Sequence, residues 1–296
     1  SSMAVYISRN KEITVMNSKG ITVFKAKAVI LAMGCRERTR GAIGIPGTRP
    51  AGIFTAGVAQ NFVNVKNIMI GKRVVILGSG DIGLIMARRL TLEGAKVIAV
   101  VEKMPYSNGL ARNVTQCLED YDIPLLLSHT VINIEGRERL KSVTIAKVDD
   151  KGEPIRGTSK KIECDTLILS VGLIPENELS KDAGIELDEV TQGALVDENL
   201  QTSIEGVFAC GNVLHVHDLV DHVSNEAEKA AKSVLRYLGM KCEKEQKVKV
   251  KAGKGIRYVI PHTISGKEDV TFSMRVDRQW TDIKLAFLNG TSPVKS

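Results

Sequence analysis

The sequence predicts an α/β fold: a doubly wound parallel-sheet domain inserted into a second, split α/β domain, followed by a small β-rich segment. Three observations lead there. An apolar run at residues 74–77 passes directly into Gly78-Ser79-Gly80-Asp81-Ile82-Gly83 and then into a helical period. A turn-rich stretch closed by an apolar strand and a glycine occurs twice, ending at Gly34 and at Gly172. From about residue 247 the chain alternates polar and apolar residues with frequent turn residues and no helical spacing.

Composition narrows the functional classes. A chain of 296 residues with 43% hydrophobic residues has material for more than one core. No apolar run approaches the roughly 20 residues a membrane helix needs, and the opening "SSMAVYISRN" has no export pattern. Cys35, Cys117, Cys164, Cys210 and Cys242 include no CxxC and sit mostly in apolar strand contexts, so structural, reduced thiols in the cytoplasm are expected. The net charge of +7 invites a nucleic-acid reading. However, "KCEKEQKVKVKAGKG" sets six lysines against two glutamates with no aromatic interleaved for stacking. Lysine guarding a solvated edge strand explains it better. Neither nucleic acid nor membrane is an expected partner.

The central unit carries the clearest chemistry. Residues 74–77 suit a strand buried on both faces. In "DIGLIMARRLTLEG", Ile82, Ile85, Met86 and Leu90 space along one helical face, Gly94 closes the helix, and "KVIAVVE" follows as the second strand. This is a Rossmann-like arrangement. Gly78 permits a tight turn, Gly80 lets the backbone approach a pyrophosphate, and Gly83 lets helix pack on strand. Asp81 and Ile82 open the helix, whose N-terminal N–H groups face the anion. Glu102 ends the second strand, nineteen residues after Gly83, where a carboxylate accepts from ribose hydroxyls and repels a 2′-phosphate. NAD(H) is therefore the expected ligand.

The repeat explains why this unit lies in mid-chain. "VYISRNKEITVMNSKGITVFKAKAVILAMG" and "VTIAKVDDKGEPIRGTSKKIECDTLILSVG" are both short meanders with a turn, at residues 17–20 and 149–152, and a final buried strand, at residues 28–33 and 166–171. The second has 94 residues between Gly78 and Gly172, whereas only 33 precede Gly34. The reading is a second domain inserted into a first one, whose opening part, about sixty residues with its own glycine fingerprint, is expected upstream of Ser1.

Residues 5–238 resemble the two-dinucleotide-binding-domain flavoproteins, the pyridine nucleotide-disulfide oxidoreductase superfamily. The resemblance rests on "AVILAMGCRERTRGAIGIPG", "VVILGSGDIG" with Glu102, "DTLILSVGLIPEN" and "TSIEGVFACGNV". It implies FAD as second cofactor, with Gly34, Gly172, Gly211 and Asn212 near the dinucleotides. The motif's usual closing acid is Asn212 here, which accepts through its carbonyl but carries no charge. Residues 34–64 look most like flavoprotein subunits of opine and amine dehydrogenases and flavoproteins that accompany glycerol-3-phosphate dehydrogenase. The resemblance thus implies a partner dehydrogenase subunit. Low-molecular-weight thioredoxin reductases keep a CxxC just ahead of the nucleotide strand, and "FTAGVAQNFVN" has no cysteine, which excludes disulfide reduction through that dithiol.

"GNVLHVHDLVDH" gathers His215, His217, Asp218, Asp221 and His222. Placement beside flavin or substrate, plain helix capping, and metal ligation are its three readings, and no metal is expected. Arg36, Arg38 and Arg40 around Glu37 read equally as an anion clamp or a local ion pair. His129 and His262 are expected to be structural, and Trp280 to be the largest core residue of a sandwich-like C-terminal fragment.

The expected domains are a FAD-domain remnant in two parts (residues 1–70 and 173–240), an NAD(H)-binding domain (residues 71–172), and a β-rich appendix (residues 245–296). The expected function is an FAD-dependent, NAD(H)-linked oxidoreductase exchanging hydride between nicotinamide C4 and flavin N5. The alternative is an NAD-binding module without independent catalysis. No catalytic side chain is identified. With part of the FAD domain upstream, little bound FAD is expected, and bared apolar strand faces should favour a homo-oligomer or a covering partner.

Overall fold

The computed structural model describes residues 1–239, 247–267, 269–290 and 292–295. Cys242 and the first part of the lysine-rich stretch, residues 241–246, lie outside the described residues. The chain forms two compact units, Arg36–Ile174 and Ser1–Cys35 with Pro175–Ser296. Among the described residues no helix is long and apolar enough to cross a membrane.

Arg36–Ile174 is built on a five-stranded sheet in the spatial order Ile53–Thr55, Thr166–Leu169, Arg73–Leu77, Lys96–Val101, Leu125–Leu126. All neighbouring pairs are parallel. Successive side chains on a strand point to opposite faces, and here both faces are covered. Val74, Ile76, Val100 and Ile168 pack with Ala59, Val63, Leu84 and Leu90 from the helical side. Val75, Leu77, Val101, Leu167 and Leu169 pack with Val131, Ile134, Val143 and Ile145. Burial on both sides is why these strands read as unbroken apolar runs.

The second face is covered by an antiparallel sheet of His129–Gly136, Leu140–Lys147 and Lys160–Glu163, not by helices. The doubly wound layering thus holds for one face, because residues 129–163 form an antiparallel sheet in place of a crossover helix. The boundary expected at residue 70 also moves. Ile53–Thr55 joins the sheet beside Thr166–Leu169 in register Leu167↔Ile53, so residues 36–70 belong to this unit. The helix Asp81–Leu92 falls where expected, but its buried side is Gly83, Leu84, Met86, Ala87 and Leu90. Ile82 and Ile85, expected on that face, are exposed. The close approach of Gly83 to the strand end sets the rotation of the helix.

In the other unit, Ser2–Ile7, Glu12–Asn17 and Gly20–Lys25 form an antiparallel meander. Its second turn is stabilised by the Asn17 side chain, which accepts from the N–H of Lys19 at 2.8 Å. Val29–Leu31 pairs in parallel with Val207–Ala209. Val29 and Leu31 are buried with Val196, Val207, Val213 and Leu214, and only Ile30 of this strand is exposed. Ile30 is 42% exposed and Ala32 is exposed as well, so one apolar face of residues 28–33 is bare, as expected, while the other packs inward. The long helix Val220–Gly239 supplies Ala230 to this core.

Among the described residues the C-terminal segment forms three two-stranded ladders, Val248–Lys249 with Thr263–Ile264, Ile256–Ile260 with Ser273–Val276, and Phe287–Asn289 with Ser292–Lys295. They are ladders and not a sandwich. Trp280 is 39% exposed, its Nε1 donating to Asp277 and the Arg278 guanidinium lying over its ring. The anchors are Val259 and Ile260, which are buried, and His262, whose N–H donates to Val196.

Candidate functional site

The glycine loop is shaped by its neighbours. Gly78 has φ +100°, and a Cβ there would lie 2.0 Å from the carbonyl oxygen of Ser170. No other residue fits that turn. A Cβ on Gly83 would lie 2.8 Å from the carbonyl oxygen of Gly78 and 2.9 Å from Ser170 Cβ, so helix and strand end touch directly. Gly80 differs. It precedes the helix with φ −66° and ψ 160°, and a Cβ there would meet nothing within 4 Å. The open space lies beside the first helical N–H groups, which have no intrahelical acceptors and carry the positive end of the helix dipole. That cradle fits a pyrophosphate.

Glu102 is buried at the end of its strand, and its carboxylate turns inward. Oε2 accepts from the Ser79 N–H at 2.9 Å and the Ser79 hydroxyl at 2.6 Å, while Oε1 accepts from the Met104 N–H at 2.9 Å. Since each carboxylate oxygen accepts more than once, acceptor positions remain beside the loop. Asp81 has a different employment. Its Oδ1 accepts from the Leu110 N–H at 2.8 Å and the Asn113 amide at 2.6 Å, tying the glycine-loop helix to the next one, Ala111–Cys117. Ile82 projects outward, 43% exposed. Gly172, with φ +94°, lies past the end of Thr166–Leu169 and accepts from the Arg38 N–H.

In the other unit, Gly34 and Gly211 both have positive φ and follow the C-terminal ends of the paired strands Val29–Leu31 and Val207–Ala209. Strand C-termini of parallel sheets are where such folds hold ligands. Asn212 is already engaged, its Oδ1 accepting from the His217 N–H at 3.0 Å and its amide donating to Cys35 Sγ at 3.6 Å. Cys117, Cys164 and Cys210 are buried free thiols, and burial pushes them up, Cys164 to about 11. Low-pKa nucleophiles they are not. Of the arginine cluster, Arg40 serves as loop scaffolding, donating to the carbonyls of Ile45, Gly47 and Thr48, while the Glu37 carboxylate accepts from the Gly57 N–H. His129 and His262 are structural, bonding to the Leu127 carbonyl and the Val196 N–H.

The histidine segment acquires a partner the sequence did not flag. Glu226, on Val220–Gly239, lies between His215 Nε2 and His217 Nε2, each 3.1 Å from one of its oxygens. It also accepts from the Gly211 N–H. Burial pushes this carboxyl up, but the histidine hydrogen bonds and the Gly211 N–H outweigh it and hold the group down at about 2. Asp218 instead pairs with Arg275 at 2.8 Å, and Asp221 is exposed. The cluster borders a pocket of about 800 Å³ that His222, Tyr258 and Arg275 also line. Nothing in the spacing of "SNEAEKAAKS" distinguishes Glu226 from Glu228.

Residues 2–234 match the sequence pattern of the pyridine nucleotide-disulphide oxidoreductases. The chain belongs to this family. FAD and NAD(P)H are the cofactors of the pyridine nucleotide-disulphide oxidoreductases. The chain is 31% identical over 183 residues to an NAD(P)H sulfur oxidoreductase (CoA-dependent) of Pyrococcus abyssi, covering 60% of this chain and 38% of the relative. It is 30% identical over 155 residues to an NADH oxidase of Methanocaldococcus jannaschii, covering 50% of this chain and 31% of the relative. The chain thus spans well under half the length of these relatives. Among solved structures it is similar to thioredoxin reductase from T. acidophilum, with a TM-score of 0.64 and 26% identity, covering 80% of this chain and 73% of that one. The superfamily resemblance read from the sequence holds. These relatives are sulfur and NADH oxidoreductases and a thioredoxin reductase, not the opine and amine dehydrogenase subunits to which residues 34–64 pointed.

Proposed function

We propose that this chain is the nucleotide-handling part of an FAD-dependent, NAD(H)-linked oxidoreductase in which hydride passes between nicotinamide C4 and flavin N5. The observation that carries this reading is the asymmetry of the three glycines. Gly78 and Gly83 are closed in by protein atoms, while Gly80 alone faces open space at a helix N-terminus. A loop that only needed to turn would have no reason to keep that position clear.

The chain's own groups bind and orient. The N–H groups opening Asp81–Leu92 hold the pyrophosphate, Ser79 and Glu102 fix the loop, and the remaining acceptor capacity of Glu102 receives the ribose hydroxyls. Its negative charge disfavours a 2′-phosphate. Gly34, Gly211 and Asn212 line the flavin side. The cofactors supply the redox chemistry when bound, and no side chain need act as nucleophile. Following the Pyrococcus relatives, a sulfur compound is the proposed electron acceptor.

Titration of the purified chain with NADH and NADPH tests the reading, with flavin absorbance and NADH oxidation followed in the same samples. Saturable binding with NADH preferred is expected. A chain that binds neither nucleotide would overturn the assignment, whereas NADH binding without flavin or turnover supports the second reading, an NAD-binding module.

A further inference from the structure

We propose that His215, His217 and Glu226 form a binding site for a divalent first-row transition ion of the zinc type, with a coordination position open to the adjoining pocket. Two imidazoles and one carboxylate are the donor set that borderline ions take, whereas magnesium and calcium prefer all-oxygen surroundings. One candidate ligand atom from each residue lies within 4.8 Å of the others. Both histidine-to-carboxylate separations are 3.1 Å. Ligands held 2.0–2.1 Å from a tetrahedral ion sit about 3.3 Å apart. An ion can therefore replace the shared protons with shifts of a few tenths of an ångström at these two contacts.

The surroundings hold the ligands in place. His215 Nδ1 lies 3.3 Å from the Tyr258 hydroxyl, an outer partner that can take an Nδ1 proton when an ion replaces the proton at Nε2. The Gly211 N–H orients the carboxylate, and the Asn212 side chain accepts from the His217 N–H, bracing the segment that carries both histidines. The two rings stand 4.1 Å apart. The three side chains are only 5–9% exposed, so water competes weakly for them. One flank nevertheless opens on the pocket of about 800 Å³, which leaves room for a water or an exogenous donor as a further ligand. The site lies in the unit that does not carry the glycine loop. It therefore stands or falls independently of NADH binding.

The test is a cobalt titration of the untagged, chelator-stripped full chain, followed by its visible ligand-field bands and by metal analysis after zinc exchange. One equivalent of Co²⁺ is expected, displaced by Zn²⁺ and unaffected by excess Mg²⁺. His217→Ala should weaken binding by at least tenfold, and Tyr258→Phe, which removes only the outer hydrogen bond, by about tenfold. Glu226→Gln should abolish it. Because Glu226 also anchors Gly211, X-ray absorption of the cobalt-loaded, unaltered chain provides a reading that needs no variant, and two imidazole ligands with oxygen donors are expected. Absence of saturable Co²⁺ uptake, a thiolate or imidazole-free ligand sphere, or uptake unchanged by His217→Ala would overturn the proposal. NADH titration on the same samples reports the glycine-loop unit separately.

Discussion

Glu102 is a buried carboxylate that accepts three hydrogen bonds from the protein, two of them from Ser79. It therefore has two tasks that substitutions can separate. Glu102→Ala leaves the Ser79 and Met104 donors without their acceptor, each at a cost of about 1–3 kcal/mol if no water replaces it. Denaturant unfolding should show clear destabilisation. Glu102→Gln keeps an accepting oxygen but removes the charge, so the fold should largely persist while the ratio of NADPH to NADH dissociation constants falls by roughly tenfold or more. Equal affinities for the two nucleotides in the unmutated chain would contradict the ribose assignment. The glycines offer a matching contrast. Gly80→Val, placed in open space, should leave the chain folded and abolish NADH binding. Gly78→Ala, at φ +100° and 2.0 Å from the Ser170 carbonyl oxygen, should damage folding itself. Unchanged NADH titration of Gly80→Val would reduce the loop to a turn.

The strand Arg73–Leu77 is fastened at its start by Asp165. That carboxylate accepts from the N–H groups of Lys72 at 3.0 Å and Arg73 at 3.2 Å, and from the Thr166 hydroxyl at 2.9 Å. Burial pushes the group up, but the Arg73 and Lys72 N–H groups, the Thr166 hydroxyl and the Arg139 charge prevail and hold it below the usual carboxylate range. A depressed folded-state pKa means the stabilisation is complete above the unfolded value, about 4, and is lost as pH falls through the folded value. Urea unfolding from pH 7 to pH 3 should therefore show a shallower acid decline for Asp165→Asn than for the unmutated chain. Identical acid slopes would remove this anchor. The elements themselves were largely legible. The strands at residues 74–77 and 96–101 and the helix after Gly80 follow from short-range periods. The helix face was not, because Gly83 pressing on Ser170 rotates Ile82 and Ile85 outward, and that contact spans most of the unit.

Each compact unit holds its own core. The two clusters that sandwich the parallel sheet draw only on residues within Arg36–Ile174, and the third only on residues outside it. Arg36–Ile174 expressed alone should therefore fold cooperatively and bind NADH. A fragment cut at the sequence-derived bounds, residues 71–172, lacks the strand Ile53–Thr55 and the buried Ala56, Ala59 and Val63. It should be markedly less stable, which thermal unfolding of the two fragments would decide. If both melt alike, residues 36–70 do not belong to this core.

Glycine's tolerance of positive φ, the two-residue period of a strand and the 3.6-residue period of a helix act between near neighbours. For that reason the Gly78 loop, its flanking strands, the meanders ending at Gly34 and Gly172, and the family they mark could all be read along the chain. Other features rest on pairs far apart in sequence. Residues 53–55 sit beside 166–169, the Glu102 carboxylate turns in to Ser79, and Trp280 stays outside while Ile260 goes in. Glu226 reaching back to His215 and His217 is of the same kind, since it requires the helix Val220–Gly239 to fold against the segment after Gly211. No period or spacing encodes such meetings. Only packing brings the groups within bonding distance.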